Sequence, residues 1–260
     1  MRRALAAAAI LIACCAGSPA FAAVNARAAD GALPLGAAGA QSARPDSHPS
    51  YGPLGEVWRV PMQRREIALT FDDGPFPFYT PLLLHVLDQT HVHGTFFVVG
   101  RSAQEFPQLV ERIVASGDEI GNHTFNHYKL TALSNGDVAY QIAASGLLLE
   151  RFTGHPLTLF RPPHGRYDHR VVYLAHEMGY QTIFWNDMPG DVEDISTATE
   201  VARAVRAATP GGIVLLHSGQ YKTIEALPAI IGQLRERGYT FVTVGQLLAD
   251  GQYQTAKAQP

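Results

Sequence analysis

The chain has 260 residues, 47% of them hydrophobic and 17% charged, which suits one globular domain with a sizeable core. Its 20 Lys and Arg against 23 Asp and Glu leave a formal net charge of −3 at pH 7, so nothing recommends nucleic acid as a partner.

The first 22 residues stand apart from the fold. Arg2 and Arg3 precede an apolar run from Ala4 to Ala13, and Ala20-Phe21-Ala22 offers a small-x-small cleavage site, the pattern of a secretory signal peptide. The run is too short to span a bilayer, so no membrane span is expected. Both cysteines, Cys14 and Cys15, fall in this segment, and cleavage after Ala22 would leave a chain without thiols. A second reading stays open: Leu11-Ile12-Ala13-Cys14 resembles a bacterial lipoprotein signal, whose acylated Cys14 would be a lipid anchor. Either route implies an exported protein, periplasmic or extracellular and associated with the cell envelope. Residues 23–56 are rich in Ala, Gly, Pro and Ser without sustained periodicity and read as a disordered linker. The folded domain is expected over 57–250, as a monomer, with a C-terminal tail over 251–260.

From Glu66 onward, apolar strand-like runs alternate with helical patterns. Strands are expected at 66–71, 95–99, 119–122, 157–160, 181–185, 212–216 and 240–243. Helices are expected near 79–91, 105–116, 135–152, 168–178, 197–208 and 223–237, with a short one after 245. Strands separated by helices imply α/β architecture with a parallel sheet and right-handed crossovers. About seven such units in this length predict an irregular (β/α) barrel, TIM-barrel-like, more than an open doubly wound sheet. No Gly-rich dinucleotide fingerprint follows the first strand.

Two segments carry chemistry. Thr70-Phe71-Asp72-Asp73-Gly74-Pro75 ends an apolar run in two adjacent carboxylates, whose mutual repulsion is costly unless a cation or a proton takes up the charge. Successive strand side chains point in opposite directions, so one acid can hold a metal while the other handles protons. The plainer reading is a polar turn whose aspartates cap the next helix. Gly121-Asn122-His123-Thr124-Phe125-Asn126-His127 spaces two histidines at i and i+4, one face of a helical turn. Neutral imidazoles at that spacing can share a divalent ion, completed by a distant carboxylate into a three-ligand site open to water. With 11 histidines in the chain, a lone pair is ordinary surface, and only its combination with Asp-Asp favours a metal. Thr124 stands where a His-Glu-x-x-His zinc helix needs its glutamate, which excludes that pattern.

The remaining polar candidates also fall after strands. Arg161 follows the fourth, Asp187 and Asp191 the fifth, and His217 the sixth. Strand C-termini form the catalytic face of a (β/α) barrel, so this regularity points to one site.

Together these segments resemble the polysaccharide deacetylases with a NodB homology domain (carbohydrate esterase family 4), over about residues 64–250. The match to Thr70–Pro75 implies that Asp72 is the catalytic base and Asp73 a metal ligand. His123-Thr124-Phe125-Asn126-His127 resembles the segment that supplies two metal histidines. Arg161-Pro162-Pro163-His164-Gly165 is similar to a third motif, with His164 in place of the usual Tyr, and Leu215-Leu216-His217 to the last, which supplies an acyl-pocket leucine and the catalytic acid. The fourth motif departs from the family pattern W-x-x-D-x-x-D-W. Here Trp185-Asn186-Asp187-Met188-Pro189-Gly190-Asp191-Val192 puts Met188 at the first Asp and Val192 at the second Trp, while Asp191 keeps the place expected to contact the catalytic histidine.

The resemblance implies removal of acetyl groups from N-acetylglucosamine-containing glycans with one divalent ion, zinc before cobalt or another metal. Asp72 takes a proton from water while Arg161 keeps it ionised. The His164 backbone N–H faces the oxyanion. His217, positioned by Asp191, protonates the departing amine, and Leu215 lines the acetyl methyl. Three other readings remain open: an O-acetyl esterase of xylan type, a non-catalytic glycan-binding relative, and a non-haem iron oxygenase, which shares the two-His-one-carboxylate set but not the alternation of strands and helices.

Overall fold

The computed structural model describes residues 41–42 and 50–258. The expected signal at 1–22, Cys14 and most of the expected linker lie outside the described residues. In chain order the strands are β1 Gln41–Ser42, β2 Glu56–Val57, β3 Glu66–Asp72, β4 Thr95–Val98, β5 Glu119–Asn122, β6 Leu159–Phe160, β7 Arg166–Tyr167, β8 Gln181–Ile183, β9 Gly212–His217 and β10 Thr240–Phe241. The α-helices are α1 Tyr79–Thr90, α2 Gly100–Glu105, α3 Pro107–Ala115, α4 Asn135–Thr153, α5 His169–Glu177, α6 Thr197–Ala207, α7 Tyr221–Glu236 and α8 Val244–Ala258.

β3 is the centre of the molecule. All seven of its residues are buried, as its near-continuous apolar run requires of a parallel strand covered on both faces. It pairs with β9 in register from Ile67↔Gly212 to Asp72↔His217, and on its other side with β4 from Thr70↔Thr95 to Asp72↔Phe97. β5, β6 and β8 follow β4 in that order, every pair parallel. β10 and β2 add short edges, β10 against the start of β3 and β2 against the last two residues of β8. The result is a curled parallel sheet, a half-barrel wrapped by helices, as the alternating pattern predicts.

The seam between β8 and β9 is closed by single contacts. Asp187 bridges in parallel to Val214, and the Leu215 N–H donates to the Asp187 carbonyl at 2.8 Å. Lower down, the Val60 N–H donates to the Gly211 carbonyl at 2.9 Å. The inward-facing side chains fill the interior, and the strand ends Asp72, Asn122, Phe160 and His217 all open on one face.

Several local features differ from expectation, each for a physical reason. The helix expected over 105–116 is α3, Pro107–Ala115, and a short helix that was not expected, α2, precedes it; the two are separated at Phe106 (φ −127°, ψ 58°), because Pro107 disfavours helical geometry in the residue before it. Folded chain begins ahead of residue 57: Gln41–Ser42 pairs antiparallel with β7, and β2 starts at Glu56, both within the expected linker. At the other end α8 runs to Ala258 and takes in most of the segment expected as a tail. Among the described residues no helix is long and apolar enough to cross a membrane.

Candidate active site

Arg161 lies at the centre of the open face and is fully buried. Its Nη1 donates to Asp72 Oδ1 at 2.7 Å and to Thr70 Oγ1 at 2.8 Å, while Nε and Nη2 donate to the carbonyls of Ile183 and Phe184 at 3.1 and 3.0 Å. The guanidinium lies 4.0 Å from the centroid of the Phe97 ring. Burial lowers its pKa and the Asp72 carboxylate opposes that, so the cation and its partner are held as one unit. Thr70 in turn donates to the Val214 carbonyl at 2.6 Å, which ties this unit to β9.

Beside it, ligand atoms of Asp73, His123 and His127 lie within 4.8 Å of one another. Asp73 Oδ1 is 3.4 Å from Nε2 of His123 and 3.0 Å from Nε2 of His127. The His127 Nε2 is buried yet makes no well-directed hydrogen bond. Two imidazole nitrogens and a carboxylate oxygen converging in this way suit a divalent cation, with room for a further ligand from solvent. The cluster is also primed electrostatically. Burial pushes the Asp73 carboxyl up, but the two imidazoles of His123 and His127 beside it outweigh this and hold the group well below the usual carboxylate range.

The two histidines do not share a helical face. Residues 123–127 form a loop in which Thr124 (φ 66°) and His127 (φ 57°) are left-handed. The backbone N–H groups that a helix would satisfy internally go elsewhere: Thr124 N–H to Asn122 Oδ1, Phe125 N–H to the Gln141 carbonyl, and Asn126 N–H to Gln141 Oε1. Asn122 is itself anchored by Nδ2 donating to the Ile142 carbonyl at 2.8 Å. His123 Nδ1 sits 2.7 Å from the Arg161 carbonyl, which selects the tautomer with the proton on Nδ1 and leaves Nε2 free to ligate.

On the opposite side, His217 ends β9 as the register partner of Asp72. Its Nδ1 lies 3.0 Å from Asp191 Oδ1, and its backbone N–H donates to Asp191 Oδ2 at 2.6 Å. Thr223 Oγ1 donates to the same oxygen at 2.8 Å. Burial lowers the His217 pKa, but the hydrogen bond and charge of Asp191 reverse this, and with Asp72 and Asp73 push it up to about 9. His217 is therefore an imidazolium at neutral pH, its Nδ1 engaged and its Nε2 available. Leu215, two residues earlier on the same strand face, is buried.

Residues 59–183 match the polysaccharide deacetylase family. A peptidoglycan-N-acetylglucosamine deacetylase of Bacillus cereus is 41% identical over 202 residues, which span 75% of this chain and 94% of that protein. The chain belongs to the polysaccharide deacetylase family. A chitooligosaccharide deacetylase of Azorhizobium caulinodans is 30% identical over 201 residues, 72% of this chain and 96% of its own. Among solved structures, a peptidoglycan N-acetylglucosamine deacetylase in complex with an N-hydroxybenzamide superimposes with a TM-score of 0.73 at 33% identity, covering 75% of this chain and 93% of that one.

Two residues of this polysaccharide deacetylase chain behave differently from the others. His164 occupies a left-handed turn (φ 60°) whose internal hydrogen bond runs from the Gly165 N–H to the Pro162 carbonyl, so the His164 N–H takes no part in it. Its ring packs edge-on to His127 at 4.7 Å, and burial, then the neighbouring His127, lower its pKa. Asp187 is buried with Oδ2 unpartnered, and burial raises it to about 8, so it is a neutral acid rather than a charged member of the site. Thr70, Asn122 and Thr223 were not singled out by the sequence. Thr70 lies inside the first motif, but nothing local marks Thr223, which reaches Asp191 only through the packing of α7 beneath the β9 end.

Backbone strain concentrates here. Among the described residues, five non-glycines have positive φ: Asp73 (74°), Thr124, His127 and His164 belong to the site, and only His91, which ends α1, lies elsewhere.

Proposed function

We propose that the protein is a metal-dependent hydrolase that removes acetyl groups from N-acetylglucosamine residues of a glycan, whether peptidoglycan, a chitin-type oligomer or poly-N-acetylglucosamine. One observation carries this reading: a carboxylate and a charged imidazole, Asp72 and His217, are register partners at adjacent strand ends, directly beside the Asp73–His123–His127 cluster. An amide needs both an activated water and a protonated leaving nitrogen, and this arrangement offers a base and an acid on either side of one substrate position.

A divalent ion held by Asp73, His123 and His127, zinc first among those an N/N/O set accepts, would polarise the acetyl carbonyl and acidify the attacking water. Asp72 removes a proton from that water, kept ionised and aimed by Arg161. The His164 backbone N–H, left out of its own turn, donates to the developing oxyanion. His217 delivers its Nε2 proton to the departing amine, and Asp191 stabilises the imidazolium until that moment. Leu215 excludes water from the methyl side. The leader expected at residues 1–22 would export the chain to where peptidoglycan or a surface poly-N-acetylglucosamine is met. The similarity to deacetylases of peptidoglycan and of chitooligosaccharides supports a glycan substrate and leaves the polymer to experiment.

The test is acetate release by the zinc-loaded protein from peptidoglycan, N-acetylglucosamine oligomers and O-acetylated xylan. Release from the amide substrates supports the proposal. Release from xylan alone would make the protein an O-acetyl esterase, and release from none would refute both.

A further inference from the structure

The apolar groups that this protein leaves in water are not scattered. Among the described residues the exposed large hydrophobics are Tyr51, Phe78, Leu82, Tyr128, Met188, Val192 and Tyr221. Five of the seven follow strand ends on the side of the open face, four on loops and Tyr221 at the start of α7, each within five residues of the site: Phe78 after Asp73, Tyr128 beside His127, Met188 and Val192 on either side of Asp191, and Tyr221 after His217. The hydrolytic steps use none of them, and exposed apolar groups gathered at the mouth of a site mark a binding surface.

Phe78 is the most exposed, at 65%, and it belongs to a row of aromatic rings. Its ring meets Tyr79 edge-on at 5.2 Å and 87°, and Tyr79 meets Phe76 edge-on at 6.4 Å and 89°. The Phe76 ring lies against Gly219, where even a Cβ would stand only 2.8 Å from it, so the aromatic row rests on backbone two residues beyond His217. Thr80 fixes the loop from both ends: its Oγ1 accepts from the Phe76 N–H at 2.8 Å and its own N–H donates to the Phe76 carbonyl at 3.0 Å. No charged residue occurs from Gly74 to Leu84. An uncharged aromatic face on a loop pinned by Thr80 suits the C–H face of a neutral pyranose.

We propose that Phe78, held by Tyr79 and Phe76, forms an outer subsite that stacks on an uncharged sugar next to the acetylated one, so that the enzyme recognises a glycan chain rather than a single residue. This rests on the glycan reading above and adds to it a dependence on chain length. The test measures binding of N-acetylglucosamine and its pentamer by calorimetry to the zinc-loaded Asp72→Asn protein, where turnover does not interfere, with and without Phe78→Ala and Phe78→Tyr. The expected result is a pentamer-to-monomer affinity ratio that falls roughly three- to tenfold in Phe78→Ala, the size of one lost ring contact, and returns in Phe78→Tyr. An unchanged ratio in Phe78→Ala, whether both affinities hold or both fall together, overturns the subsite. Pentamer binding that depends on Phe78 without acetate release from any glycan by the parent protein would instead overturn the deacetylase reading and keep the subsite.

Discussion

The carbonyl oxygen of Arg161 lies 2.7 Å from His123 Nδ1, while the guanidinium of the same residue lies 2.7 Å from Asp72 Oδ1. One residue thus orients the proposed base with its side chain and fixes the tautomer of a candidate metal-ligand histidine with its backbone. The two halves of the site are coupled through the residue that follows β6, and a disturbance at position 161 reaches both.

Replacing Arg161 should therefore cost stability and chemistry together. Arg161→Met leaves Asp72 as a buried carboxylate without its cation, a change worth about 3–5 kcal/mol. For a domain of this size that is a drop in melting temperature on the order of 10 °C. Arg161→Lys should recover little, because one ammonium cannot serve Asp72, Thr70 and the carbonyls of Ile183 and Phe184 at once. Calorimetric melting of both variants checks this, and a Lys variant as stable as the parent would contradict it.

The adjacent aspartates should separate cleanly. Asp72→Asn should keep metal content and lose turnover by roughly 10²–10⁴-fold, the usual size of a general-base contribution. Asp73→Asn, His123→Ala and His127→Ala should each lose metal. Metal analysis after dialysis, beside acetate release, distinguishes them; equal metal loss from both aspartate variants would reverse the assignment.

The acid has a predictable pH signature. His217 must be protonated to act, and its pKa of about 9 puts the alkaline limb of the rate profile near that pH. Asp191→Asn removes the charge that raises it, so the limb should move down toward the ordinary histidine value of about 6.5. The same shift has a sign in stability: the His217–Asp191 contribution is complete below about pH 6.5 and disappears as pH rises through about 9. His217→Ala should slow amide hydrolysis far more than hydrolysis of an aryl acetate, whose phenolate departs without a proton. Equal slowing of both would move His217 out of the leaving-group role.

The barrel seam offers a test away from the chemistry. A Cβ on Gly211 would stand 1.6 Å from the Val60 carbonyl oxygen at φ +75°, whereas Gly154, at the same φ, has nothing within 4 Å. Gly211→Ala should cost roughly 3 kcal/mol and Gly154→Ala about 1 kcal/mol, the first from overlap and the second from backbone conformation alone. Denaturant midpoints would show the difference.

What the sequence reveals and what it hides divide along a physical line. β3 and β9 were legible because buried parallel strands carry continuous apolar runs, and the candidate site residues could be picked out because they sit in short motifs at strand ends. The His123–His127 spacing suggested a helical turn, but the side chains of Asn122 and Gln141 satisfy that backbone from outside, a tertiary effect that local spacing does not encode. β2 is two residues long and has no periodicity to read. Thr223 joins Asp191 across 32 positions of sequence, and only the folded chain brings them together.

The left-handed backbone at Asp73, Thr124, His127 and His164 sets up a conflict between two kinds of selection. Each such residue costs roughly 1–2 kcal/mol that glycine would recover. A library selected for heat resistance alone should therefore drift toward glycine at these positions. In doing so it would strip out two ligand candidates, the Thr124 hydroxyl that accepts from the His127 N–H, and the imidazole packed on His127. Thermostable variants of this enzyme should be sought at other positions, and non-glycine residues retained at these four would show that catalysis was under selection throughout.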